Sequence, residues 1–304
     1  MKIAIFGVGA IGSIFGRLFT EAGHEVTYIA RGKTLAVIER NGLTIKSIWG
    51  DSKEAVIVKS RDEVLSETFD YLFLAVKATG IDTAIAELRP LMKSTTALIS
   101  VLNGIGNEEK LAVAFGADKI VGGSVLMSAV RIDNGIIHHI GKGDLAVGQW
   151  DEQTDDERLP ALITSLAQTP LKARIVPNIR EQKWNKLLWN IAFNPISALM
   201  RQKVGTILAD EHLARIIQQM KTEFLAIAAA YNISIWPESH TGIEQPDEGS
   251  LQHLPSMAQD RLAQQEMELD AILGQLIQLG EDKHLPVATL STIFHLLSYE
   301  QEHY

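Results

Sequence analysis

Residues 2–12, KIAIFGVGAIG, place a short apolar strand directly ahead of a glycine-rich turn. Ile3, Ala4, Ile5 and Phe6 form an unbroken apolar run, the pattern of a strand buried on both faces of a parallel sheet. Gly7, Gly9 and Gly12 then fit G-x-G-x-x-G, with Val8, Ala10 and Ile11 at the variable positions. The first glycine permits the tight turn, the second lets backbone approach a pyrophosphate, and the third lets the next helix pack on the strand. That helix is amphipathic from Ala10 to about Ala22, and its N-terminal N–H groups suit a diphosphate. Residues 7–12 are thus the expected backbone cradle of a dinucleotide.

Working outward, Glu25 to Ala30 (EVTYIA) is β-branched and aromatic enough for a second parallel strand, completing a βαβ unit. NAD-binding versions of this unit carry an acidic residue about 20 residues beyond the glycines, on the ribose 2′-hydroxyl. Residues 27–33 read TYIARGK instead, and Glu25 stands at the wrong end of the strand. Arg31 and Lys33 occupy the place of the carboxylate, and a guanidinium there suits a 2′-phosphate, so NADP is favoured over NAD. Arg31 also reads as an ordinary solvated loop arginine, since the inference is positional.

The chain has 304 residues, more than a single core usually organises, so two domains are expected. At 46% hydrophobic and 21% charged residues the composition is that of an ordinary globular protein. A net charge of −9 argues against a general nucleic-acid surface. The absence of cysteine excludes disulfides, thiolate catalysis and cysteine metal sites, and is compatible with a cytoplasmic location. No apolar run reaches membrane-spanning length and no secretory leader is recognised. The nine histidines lack metal-ligand spacing, so no metal is expected.

Further along, Leu43 to Ser47 and Glu54 to Lys59 read as strands of an edge excursion. Asp70 to Val76 is another buried strand, followed by Lys77 at its carboxyl end, where ligands of open α/β sheets bind. Lys77 is suited to an adenosine phosphate, to a substrate, or to water alone. Ala97 to Leu102 ends in Asn103-Gly104-Ile105-Gly106-Asn107; Asn103 both donates and accepts, and so suits a carboxamide, a ribose hydroxyl or a substrate. Asn-Gly is also a plain turn signal. Strands are expected at Lys119 to Val130, Gly135 to Ile140 and Asp144 to Val147. The fold class is therefore an α/β Rossmann-type doubly wound sheet over residues 1–176, followed from Pro177 by an all-α domain, 177–304.

In the second domain NIREQKWNKLLWNIAFNPISALM (178–200) is the informative segment. Lys186, Asn190 and Asn194 recur every four residues and form one narrow stripe on a helix that is otherwise apolar. A buried lysine and two buried amides need partners, which either a ligand pocket or a structural polar network supplies. Pro195 is expected to free a carbonyl in that helix. Asp210 to Tyr231 and Pro255 to Leu279 read as further helices, the latter opened by a Ser256–Gln259 capping box. On one continuous helix Glu268 lies twelve residues from Ser256, about 120° around, so the two need not share a face.

Together GVGAIG, the ARG at 30–32, VKAT at 76–79, LNGIGN at 102–107, NIREQKWNKLLWNIAFNP at 178–195 and SMAQD at 256–260 resemble the ketopantoate reductase (2-dehydropantoate 2-reductase) family, over nearly the whole chain. The resemblance implies that the first domain binds NADPH and the helical second domain closes over a 2-keto acid. It implies Lys186 as proton donor to the keto oxygen, Glu268 as an active-site glutamate, and Asn190, Asn194 and Ser256 as substrate ligands. Asn103 would bridge cofactor and substrate, Arg31 and Lys77 would take the 2′-phosphate, and Asp260 would be structural. Gly80 stands where the family usually has glutamine and Pro255 where serine is common, which puts the identity of the keto acid in doubt. A related 2-hydroxy-acid dehydrogenase and a non-catalytic NADP-binding sensor are the alternatives. Dimerisation through the helical faces is left open by the sequence.

Overall fold

The computed structural model describes all 304 residues, which cluster into two units, Met1–Leu102 with Glu108–Arg180, and Asn103–Asn107 with Glu181–Tyr304. The first unit holds strands β1 (Lys2–Phe6), β2 (Glu25–Ile29), β3 (Leu43–Ser47), β4 (Ser52–Glu54) and β5 (Val58–Lys59). It continues with β6 (Tyr71–Leu74), β7 (Ala97–Ser100), β8 (Ile120–Asp133), β9 (Ile136–Gln149) and β10 (Lys172–Ile175). Its helices are α1 (Ala10–Glu21), α2 (Gly32–Asn41), α3 (Ile81–Leu88), α4 (Asn107–Phe115) and α5 (Arg158–Ser165).

All ten strands form one sheet, ordered β4-β3-β9-β8-β7-β6-β1-β2-β5, with β10 beside β9. Pairing is parallel from β5 through β8, and β8 with β9 is antiparallel. The chain runs from β1 to β2 on one side and later to β6 on the other. That makes β1/β6 the point where strand order reverses, and crevices at such points take ligands beyond the strands' carboxyl ends. Gly7, Arg31 and Lys77 follow β1, β2 and β6 there. The apolar strands β1, β6 and β7 are buried almost throughout because helices cover them. Phe15 of α1 stacks on Phe73 of β6 with ring centroids 4.8 Å apart, and Phe19 meets the same ring edge-on at 5.4 Å.

Two strand expectations are corrected. Gly135–Ile140 and Asp144–Val147 are a single strand, β9, because Lys142 (φ 62°) and register shifts against β8 absorb the irregularity that separates them in the sequence. Glu54–Lys59 is not one strand: β4 pairs antiparallel with β3, while β5 lies beside β2 at the opposite edge.

The second unit is helical: α6 (Ile179–Met200), α7 (Val204–Leu208), α8 (Glu211–Ala230), α9 (Pro237–Glu244) and α10 (Glu248–Leu251), then α11 (Ser256–Leu262), α12 (Gln275–Asp282) and α13 (Ala288–Glu302). Asp210 caps α8 by accepting from the N–H groups of His212 and Leu213. Buried Glu223 of α8 in turn accepts from Thr289 and Leu290 at the start of α13, satisfying N–H groups that the helix leaves unpaired. The single helix expected from Pro255 to Leu279 is broken. α11 ends where Gln264 turns left-handed (φ 52°) and Gln265 N–H bonds the Asp260 carbonyl; residues 265–268 are non-helical, and a π-helical turn, Asp270–Gly274, precedes α12. No helix of the protein is long and apolar enough to cross a membrane.

His24 fastens the end of α1. Its Nδ1 lies 3.1 Å from the Met1 amino group and its Nε2 2.7 Å from Ser165 Oγ, which donates to the Leu162 carbonyl. Since Ser165 spends its hydrogen on that carbonyl, the ring must donate from Nε2 and accept at Nδ1, which requires neutral imidazole. Burial, and then the nearby amino-terminal charge, hold its pKa below the ordinary 6.5. The unfolded chain therefore binds the proton more tightly, and the stability from this ring is complete above the unfolded pKa and lost as pH falls through the folded one. The expected outcome is a urea midpoint that drops further between about pH 7.5 and about pH 5 in the wild type than in His24→Gln; parallel curves would contradict it.

Candidate active site

The glycine turn has the geometry that its spacing requires. Gly7 has φ 103°, and a Cβ there would lie 2.8 Å from the backbone of Ala75 and Val76. At Gly12 a Cβ would overlap the Gly7 carbonyl oxygen, so any side chain would push α1 away from β1. Gly9 is different: it caps α1 in an extended conformation, and nothing lies within 4 Å of where its Cβ would be. The first turn of α1 has no acidic residue and no side-chain cap, so its N–H groups are left without a capping side chain and suit an anion. Val8 is buried in the core and Ala10 and Ile11 pack against it, which leaves their backbone as the part that could meet a ligand. These residues fit a dinucleotide diphosphate, and the open face at Gly9 is the observation that says so.

Arg31 is the residue before α2, and its side chain is 79% exposed. Its Nη1 donates to Glu87 Oε1 of α3 at 2.6 Å. Lys77 is exposed between β6 and a short 3₁₀ turn at Ala78–Gly80. Glu87 was not legible as a partner of Arg31, because it lies 56 residues away in the chain.

In the helical unit α6 is buried on nearly all sides, as its composition predicts. Lys186 Nζ donates to Asn103 Oδ1 at 2.8 Å, and Asn103 Nδ2 donates to Glu268 Oε2 at 3.1 Å. One amide thus joins three of the residues that the sequence singles out. Asn190 and Asn194 follow on the same stripe, 8% and 4% exposed, yet their side chains make no hydrogen bond to the protein. Their polar atoms nevertheless retain some access to solvent. Buried amides normally find partners, so these two are available to a bound molecule.

The structural network that competed with this reading exists, but one position away. Asn185, which spacing did not mark, donates to the carbonyls of Glu181 and Ser234 and accepts from Trp236 N–H and Ser239 Oγ. It ties α6 to the start of α9. Asn107 was also missed: it is 4% exposed and its Nδ2 donates to the Asn103 carbonyl at 2.8 Å. Its offset of four residues from Asn103 at a helix start was the available signal.

Glu268 is 8% exposed and lies just before the π turn, where its carbonyl accepts from Ile272. The break in the expected helix is therefore what separates it from α11. Ser256 does not form the expected capping box. Pro255 takes the cap position, Ser256 is the exposed first residue of α11, and the Gln259 side chain donates to the Leu254 carbonyl instead. No hydrogen bond joins Ser256 to Lys186, Asn190 or Asn194. The loop bearing Asn103 is seated on the π turn: Ile105 N–H donates to the Ala271 carbonyl at 3.0 Å, and a Cβ on Gly104 (φ 81°) would overlap that oxygen. π turns inside helices occur often at functional sites.

The family model described as Ketopantoate reductase PanE/ApbA matches residues 3–152, and that of its C-terminal domain matches residues 178–301. The chain belongs to the ketopantoate reductase family. It is an oxidoreductase. A relative from Mesorhizobium japonicum named 2-dehydropantoate 2-reductase is 28% identical over 322 residues, covering 98% of this chain and 97% of the relative. The crystal structure of 2-dehydropantoate 2-reductase from Geobacter metallireducens superposes with a TM-score of 0.90 at 28% identity, over 98% of this chain and 99% of that one. A ternary structure of D-mandelate dehydrogenase with NADH and anilino(oxo)acetate shares the fold, with a TM-score of 0.92 at 23% identity over 99% and 98% of the two chains.

The glycine geometry separates packing from ligand access. Gly104→Ala is expected to lower unfolding stability by on the order of 2 kcal/mol, from left-handed strain and the blocked Ala271 contact. Gly9→Ala should stay within about 0.5 kcal/mol of the wild type, because its Cβ meets nothing. Urea denaturation of the two variants checks both; equal losses would refute the distinction.

Proposed function

We propose that this reductase converts 2-dehydropantoate (ketopantoate) to (R)-pantoate with NADPH, a step toward pantothenate and coenzyme A. The observation that carries the reading is the stripe on α6: an ammonium held by Asn103, followed by two buried amides with no partner in the protein. A carbonyl becoming an alkoxide needs a donor aimed at its oxygen, and Lys186 is such a donor. The glycine turn would hold the diphosphate of a nicotinamide cofactor, whose chemistry would be to supply a hydride to the keto carbon. The carbonyl π electrons then move to oxygen, and Lys186 Nζ delivers the proton, leaving a neutral amine to be re-protonated from water.

In this reading Asn103 turns Lys186 toward the substrate, while Glu268 fixes which end of the Asn103 amide faces the lysine. Asn190 and Asn194 take the substrate hydroxyl and carboxylate end, and Ser256 takes the carboxylate. Gly7 to Gly12 cradle the diphosphate, and Arg31 and Lys77 bind the 2′-phosphate that marks NADPH. Residues 1–176 thus serve the dinucleotide, and residues 177–304, with Asn103, serve the keto acid. The names of the relatives, matched over nearly their whole length, support this assignment.

Loss of NADPH absorbance with purified protein and ketopantoate tests it, beside NADH and a panel of other 2-keto acids. The expected result is turnover that prefers NADPH and ketopantoate, with kcat falling by about 10²–10⁴-fold in Lys186→Ala. Reduction of a different keto acid alone would replace the substrate assignment. Absence of any turnover despite dinucleotide binding would overturn the reaction.

A further inference from the structure

The end of β2 lacks the carboxylate that an NAD-type site would place there, but the fold supplies one from elsewhere. Glu87, on α3, reaches Arg31 with a 2.6 Å charge-assisted hydrogen bond. Only Nη1 of the guanidinium is engaged, and the Arg31 side chain is 79% exposed while that of Glu87 is 24% exposed. Arg31 stands at the carboxyl end of β2, where the adenosine ribose of a dinucleotide lies in this type of sheet. An anion arriving there meets a pair whose charges cancel, not a bare cation. Glu87 also acts on Arg61, which follows β5 at the neighbouring carboxyl end; Asp62, hydrogen-bonded to Arg61, is the larger cause holding its guanidinium above the ordinary pKa, and Glu87 adds to it.

We propose that Glu87 is a specificity-determining residue, a carboxylate that competes with the 2′-phosphate of the dinucleotide for Arg31 and so narrows the preference for NADP(H) over NAD(H). The inference rests on the reading of Arg31 as the 2′-phosphate ligand. Two effects act together. A dianionic phosphate on Arg31 must either displace Glu87 or share the guanidinium with it, and in both cases the like charges repel. An unphosphorylated ribose carries no such penalty, and its 2′-hydroxyl is a donor that a carboxylate accepts. Pre-orientation of Arg31 by Glu87 works in the opposite direction, but an exposed single-contact pair holds its partner weakly.

The test is calorimetric titration of 2′,5′-ADP and 5′-AMP into the wild type, Glu87→Gln, Arg31→Ala and the double variant, with no turnover involved. In Glu87→Gln the ratio of the 5′-AMP to the 2′,5′-ADP dissociation constant is expected to rise about three- to tenfold, and less at high salt. Arg31→Ala should lower that ratio by about tenfold or more, and in its background the Glu87→Gln effect should shrink. A ratio unchanged or reduced in Glu87→Gln, with Arg31→Ala still losing discrimination, overturns the role of Glu87 alone. If Arg31→Ala leaves the ratio unchanged, the reading of Arg31 falls, and the proposal with it.

Discussion

The helical unit depends on the orientation of one amide. Asn103 meets Lys186 on one side and Glu268 on the other, and these make opposite demands: Lys186 offers only donors, and the Glu268 oxygen that faces the amide accepts. An amide satisfies both in one of its two rotations and neither in the other, so the pair of charged neighbours fixes the direction of the oxygen. Aspartate there would face Glu268 as a like charge, and an apolar residue would leave both charged groups short of a partner in a partly buried site. The amide is held from behind as well, by Asn107 on its carbonyl and by the Ile105–Ala271 bond two residues along. Gly104 is required between them because the chain passes so close to Ala271 that no side chain fits.

The α/β unit solves a different problem with backbone. Gly7, Gly9 and Gly12 do not act through functional groups; they act through the room left by absent side chains, two for close packing and one for open approach. This arrangement was readable from residues 2–12, because only glycine meets the steric conditions at positions 7 and 12 and the spacing is rigid. The charge arrangement at the end of β2 was only half readable. Arg31 stands at a position that strand order dictates, but the carboxylate beside it comes from α3, and no local pattern links residues so far apart.

The same contrast runs through α6. The four-residue recurrence of Lys186, Asn190 and Asn194 was visible because it follows the helical period, and the buried, unpartnered state of both amides agrees with it. Asn185 sits off that stripe and carries the structural network, since its four hydrogen bonds go to α6 itself, to the loop leading into α9 and to the first turn of α9. Periodicity identifies a face; it does not say which neighbouring element the face will meet.

The break before Glu268 shows where local preference loses. Residues 261–273, RLAQQEMELDAIL, contain no proline or glycine and are rich in good helix formers, so propensity favours one continuous helix. The chain instead accepts a left-handed Gln264, a non-glycine residue in a conformation that ordinarily costs about 1 kcal/mol or more. What outweighs that cost is tertiary: Met267 and Leu269 are buried in the helical core, and Glu268 between them accepts from Asn103. A straight helix would turn these successive residues about 100° apart, with Glu268 held in the register of α11. Breaking the helix frees that register, so Glu268 is positioned by the start of the next helical segment and by the π turn on which the Asn103 loop rests. The strain at Gln264 and the orientation of the Asn103 amide are thereby two ends of the same constraint.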